Sequence, residues 1–161
     1  AAAARQRVSH ARGFQSLTEA DLATYHRDGF VIVRGLLDRG EVDLVRRACL
    51  EEPVFQAAEN TIRLGDAAGG ATRLHLWSNP GDGTLGNLTR SRRVVQGVKR
   101  CLGGDAVHYH SKVLLKEPQS GGIWNWHQDY GYWYKDFFLF PHMLTAYFAI
   151  DPQTRANGCL K

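Results

Sequence analysis

Trp124-Asn125-Trp126-His127-Gln128-Asp129-Tyr130-Gly131-Tyr132-Trp133-Tyr134 is the densest chemical stretch of the chain, and its reading decides the fold. Aromatic residues at this density, after turn residues at 118–122, read as a strand with a flanking loop. On extended backbone, residues two apart share a face, so His127 and Asp129 converge while Trp126 and Gln128 face away. An imidazole and a carboxylate side by side are two members of the 2-His-1-carboxylate set that holds non-haem iron with open positions. Alone the tripeptide says little, because His-x-Asp is common among surface polar residues. Some of the surrounding aromatics must fill a core. Trp133 and Tyr134 are read as lining a substrate pocket, where ring faces also suit a cationic ligand.

Working outward, Val107, Tyr109, Ser111, Val113 and Leu115 alternate with His108, His110, Lys112, Leu114 and Lys116, the period of a strand. Residues 144–150 read as another strand, and Asp151-Pro152 as a turn. Toward the N-terminus, Thr18 ahead of Glu19 and Asp21 predicts a helix to about Arg27, ended by Gly29. Phe30-Val31-Ile32-Val33 predicts a buried strand. Asp38 caps a second helix running to about Leu50, with Val42, Val45 and Ala48 at helical spacing, and Pro53 marks its end. Residues 66–70 read as a loop, 72–77 as a strand, 79–83 as a turn and 88–102 as a helix stopped by Gly103-Gly104. Residues 1–15 read as a disordered arm and 16–161 as one domain. Helices with interspersed strands, followed by consecutive strands, predict an α+β domain built on an antiparallel barrel or jelly roll.

At 161 residues the chain is one domain in size, and 43% hydrophobic with 22% charged residues is the composition of a globular protein. No apolar run approaches the roughly 20 residues a membrane helix needs. The net charge of +4 gathers in short clusters such as Arg90, Arg92 and Arg93, or Lys99 and Arg100, which read as a solvated helix face rather than a nucleic-acid stripe. Three scattered cysteines, Cys49, Cys101 and Cys159, fit neither a disulfide framework nor a zinc knuckle, and point to a reducing compartment such as cytoplasm or an organelle matrix.

Tyr109-His110-Ser111-Lys112 through Lys116-Glu117-Pro118, Gly121-Gly122 and Trp126-His127-Gln128-Asp129-Tyr130 together resemble the phytanoyl-CoA dioxygenase family. Phe148-Ala149-Ile150-Asp151 leading to Arg155-Ala156-Asn157-Gly158-Cys159-Leu160 extends the resemblance to the end of the chain. It implies a double-stranded β-helix, or jelly roll, braced by N-terminal helices. It implies an Fe(II)- and 2-oxoglutarate-dependent dioxygenase that hydroxylates a small organic substrate and releases succinate, with ascorbate as a reductant. His127 and Asp129 match the first two iron ligands; the filled Asp129 position argues against a halogenase. Lys112 aligns with a position that contacts 2-oxoglutarate, Tyr147 with an aromatic that packs against it, and Arg73 with an upstream basic contact. Each has a plainer reading: a solvent-facing strand lysine, a core aromatic and a structural arginine. The family's third ligand, a second histidine, and its 2-oxoglutarate-binding arginine come from later strands. The chain starts at Ala1 and stops at Lys161, so the resemblance predicts a fragment that does not turn over alone.

Two other readings compete. His108-Tyr109-His110 could serve a cupin-type metal site, although Glu117 lies at poor spacing for it. A jelly roll that has become a non-catalytic binding module is the second, disfavoured by the intact His127 and Asp129. His142, after Phe140-Pro141 in a loop, reads as a substrate-side or surface residue.

Overall fold

The computed structural model describes residues 16–56, 62–65, 71–116, 118 and 126–160. The expected arm at 1–15, the loop at 66–70, Trp124 and most of the turn at 118–122 lie outside the described residues.

Helix α1 (Glu19–Asp28) and helix α2 (Arg39–Glu51) start where their caps dictate. Thr18 accepts from the Asp21 amide at 3.1 Å while Asp21 reaches back to the Thr18 amide at 2.7 Å. Asp38 and Glu41 repeat this reciprocal arrangement at 2.8 and 2.9 Å. Gly29 closes α1 at φ 82°, a left-handed backbone that glycine adopts without a Cβ penalty. Pro53, expected only as a stop, opens the short helix α3 (Pro53–Gln56), where its missing amide would have been unsatisfied anyway.

Strands β1 (Ile62–Gly65), β2 (Ala71–Trp77) and β3 (Ser111–Lys116) form one antiparallel sheet in that order. In its register Leu76 faces Lys112, His75 faces Val113 and Arg73 faces Leu115. The expected helix at 88–102 is two helices, α4 (Thr84–Thr89) and α5 (Arg92–Leu102), with extended Ser91 capping the second. Ser91 occupies the N-cap position, but its hydroxyl makes no capping bond, and the Val94 and Val95 amides bond to its carbonyl instead. A Cβ on Gly86 would lie 2.2 Å from the Gly81 carbonyl oxygen, so only glycine lets α4 sit against the preceding turn.

The core joins Val45 and Cys49 of α2 to Leu88 of α4 and Val94 of α5, with Val113, Phe148 and Ile150 packed on it. Arg90, Arg92 and Lys99 of the basic cluster are exposed, as a solvated face requires, whereas the Arg93 side chain is buried. Arg93 pairs with Glu41, Arg100 with Glu19 and the Leu17 carbonyl, Lys99 with Asp105 and Arg90 with Asp82. Arg93 fastens α5 to α2, and Arg100 fastens it to the start of α1.

Four strand expectations are corrected. The alternation expected from Val107 forms a strand only from Ser111 on, and Val107 is exposed. Residues 30–33 are not in a strand, and Phe30 and Ile32 are exposed. Residues 144–150 run without ladder pairing, although Phe148 and Ile150 pack inward. A strand is defined by a hydrogen-bonded neighbour, and the described residues offer neither segment one. Residues 129–135 form helix α6 (Asp129–Lys135), whose bonds are local and whose ends, acidic then basic, suit its dipole. The described residues are thus mixed helix and small antiparallel sheet. They show one three-stranded sheet rather than the two facing sheets of a jelly roll. None of the described helices is long and apolar enough to cross a membrane.

Candidate functional site

His127 and Asp129 come together at the N-terminus of α6 rather than along a strand. Gln128 is the N-cap and Asp129 the first helical residue, so the chain turns between the two side chains. His127 Nε2 lies 3.1 Å from Asp129 Oδ1. The Tyr132 ring meets the imidazole edge-on with centroids 5.8 Å apart. Both members of the pair are about one-third exposed at the side chain, accessible to an ion from solution.

The donor set fits a metal ion in part. Two ligands at right angles on one ion, each about 2.1 Å from it, stand about 3 Å apart, close to the observed separation. The pair supplies two donors. Among the described residues no group of three or more His, Cys, Asp or Glu side chains is placed to hold an ion.

β3 and the segment before it hold α6 in place. Lys112 Nζ stands 3.8 Å from Asp129 Oδ2, and the His110 ring lies 6.2 Å from that of Trp133. His110 stands just ahead of β3 and Lys112 within it, while Asp129 and Trp133 are one helical turn apart, about 6 Å. Lys112 thus reaches the first residue of α6, and His110 the residue one turn on. Tyr109 adds a hydroxyl contact to Asp136 at 3.4 Å and an edge-on ring contact to Phe138. Tyr130 donates to the Phe138 carbonyl at 3.0 Å, tying the segment after α6 back to it. Burial lowers the His110 pKa below its ordinary value, helped by the charges of Lys112 and His108 and opposed by Asp129.

The remaining expected residues divide. Trp133 is half-buried against His110, while Tyr134 is exposed and touches Tyr130 edge-on. Tyr147 is half-exposed, and its hydroxyl accepts from the Gln153 amide rather than lying on the His127–Asp129 pair. Arg73 pairs with Leu115 and so lies on the sheet face opposite Lys112. His108 hydrogen-bonds through both ring nitrogens, to the Ser78 carbonyl and the Ser111 hydroxyl, each at 2.9 Å. His142 is exposed in an irregular stretch. Tyr132 and Tyr109 were missed as site-shaping residues. A helical reading of 129–135 would have found the Asp129–Trp133 face, since residues four apart are neighbours there.

Comparison with known proteins bears on this site. The family model for phytanoyl-CoA dioxygenase (PhyH) matches residues 25–161. The chain is 26% identical to the L-proline trans-4-hydroxylase of Streptomyces griseoviridis over 138 residues, 85% of this chain and 50% of that protein. It is 27% identical to the ectoine dioxygenase of Streptomyces avermitilis over 135 residues, 81% of this chain and 44% of that protein. Against the ectoine dioxygenase of Bordetella parapertussis it is 24% identical over 160 residues, 90% and 48% of the two chains. The chain spans about half the length of the curated relatives it matches. No solved structure matches it. The match over residues 25–161 takes in β3, α6 and the His127–Asp129 pair, and the chain belongs to the phytanoyl-CoA dioxygenase family.

Proposed function

We propose that this chain is the metal-binding part of a non-haem Fe(II)- and 2-oxoglutarate-dependent dioxygenase that hydroxylates a small organic molecule. The observation that carries the reading is the 3.1 Å approach of His127 Nε2 to Asp129 Oδ1 within the family match. His127 and Asp129 are the iron ligands. Bound Fe(II) would supply the redox chemistry that couples oxidative decarboxylation of 2-oxoglutarate, giving succinate, to hydroxylation of the substrate.

The chain's own residues prepare that site. Tyr132 fixes the plane of the His127 ring, and Lys112 sets a cation beside Asp129 that suits an anionic co-substrate. Trp133 and Tyr134 belong to the substrate side, where aromatic bulk excludes water. The jelly roll is the proposed fold of the whole protein, with β2 and β3 among its strands. The likeness to an L-proline hydroxylase and to ectoine dioxygenases favours a small amino or imino acid, or a molecule like ectoine, as substrate. A cupin-type site on His108 and His110 has less support, because both His108 nitrogens already bond to the protein.

Anaerobic Fe(II) titration followed by calorimetry tests the ligands, with His127→Ala and Asp129→Asn each expected to weaken binding at least about tenfold. Succinate release from 2-oxoglutarate, screened over small amino and imino acids, tests the reaction. Release that persists in His127→Ala, or iron affinity indifferent to both substitutions, sinks the assignment.

A further inference from the structure

Asp129 is held from two sides. Its Oδ1 faces His127 Nε2 at 3.1 Å and its Oδ2 faces Lys112 Nζ at 3.8 Å. The two contacts differ in kind. The first brings two donors toward a common ion, whereas the second puts a positive charge where an arriving cation would feel it. Lys112 is placed there by the sheet: its partner Leu76 and its neighbour Leu114 are partly exposed on the same face, so the lysine crosses an open apolar surface to reach Asp129.

The ion pair is weakly built for a structural one. Its side chains are 30% and 34% exposed, and at 3.8 Å it sits near the outer limit of contact, the range in which such pairs add little stability. The contrast within this molecule is Arg93–Glu41, at 8% and 5%. A loose, solvent-reachable pair is easily exchanged, and a divalent ion competes for the same carboxylate with twice the charge.

We propose that Lys112 is the resident counter-cation of Asp129, displaced when metal enters. This rests on the metal-site reading above and deepens it, because the side chain that steadies the empty carboxylate then opposes the ion that replaces it.

Co(II) titration of the whole chain without co-substrate tests this, read by the ion's own visible absorption and by calorimetry. Lys112→Met, and Lys112→Gln as a second neutral variant, should bind Co(II) about tenfold more tightly than the parent at low salt. The difference should shrink at high salt, where exposed charges are screened. Lys112→Arg should bind as the parent does. Unchanged or weaker Co(II) affinity in both neutral variants overturns the counter-cation role while leaving the metal site intact. Co(II) affinity indifferent to His127→Ala and Asp129→Asn removes the metal site itself, and the role of Lys112 with it.

Discussion

Arg93 of α5 and Glu41 of α2 form an ion pair whose side chains are only 8% and 5% exposed. Both also serve their own surroundings: Arg93 donates to the Leu36 carbonyl, and Glu41 completes the Asp38 capping box. Breaking such a pair from one side leaves a buried charge without compensation, at about 3–5 kcal/mol. Arg93→Met should therefore lower the urea midpoint strongly, and Glu41→Gln similarly. The double variant Arg93→Met/Glu41→Leu should recover part of the loss, because the second change removes the stranded carboxylate. Additive losses in the double variant would show that the pair is not coupled.

Phe137 is a different kind of exposure. It has φ 69°, in the left-handed region, and its ring is 90% exposed. Its amide bonds to the Tyr134 carbonyl and that of Phe138 to the Trp133 carbonyl, the pattern in which glycine closes a helix. Phe137→Gly should stabilise the chain by about 1 kcal/mol, seen as a higher denaturation midpoint. Destabilisation would mean that the ring makes a contact worth more than the backbone strain it imposes.

Acid should weaken the fold partly through His110. Its folded pKa lies below the ordinary 6.5, so the folded state prefers the neutral ring. The stability it contributes is complete above 6.5, falls as pH drops below that value, and stops falling below the folded pKa. NMR titration should place its midpoint below 6.5, and His110→Gln should flatten the loss of stability between pH 7.5 and 5. A midpoint at or above 6.5 would contradict the burial of the ring against Trp133.

The thiols should react in order of access. Burial, with the nearby Glu52 and Asp151 charges, pushes the Cys49 pKa up to about 11, and burial also raises that of Cys101. Cys159 is half-buried. At pH 8 an iodoacetamide time course read by mass spectrometry should modify Cys159 first and Cys49 last. Rapid labelling of Cys49 in the folded chain would mean that the α2 face opens readily.

The helix ends were legible because their signals are local. Thr18 with Asp21, Asp38 with Glu41, and the closing glycines Gly29 and Gly103 lie within a turn of what they terminate. The strands were less so. The strand read at 72–77 found part of the alternating stretch 107–116, but 30–33 and 144–150 carry an apolar signal without a ladder partner. Aromatic content misdirected the reading of 129–135, where end charges and local bonding favoured a helix. The closeness of His127 and Asp129 survived that error, since a two-residue spacing across a helix start also brings side chains together. The fate of Arg93 was invisible, its partner being 52 positions away.

The approach of Lys112 to Asp129 makes strand register an electrostatic variable. Sliding β3 by one residue against β2 would turn Lys112 to the opposite sheet face and bring an uncharged neighbour, Ser111 or Val113, toward Asp129. His110 would leave Trp133 in the same movement. The charge environment of the carboxylate is thus inherited from the pairing of β2 with β3, in which Leu76 and His75 never touch it. Substitutions deep in that ladder should act like mutations of the site itself, shifting ion affinity before they unfold the chain.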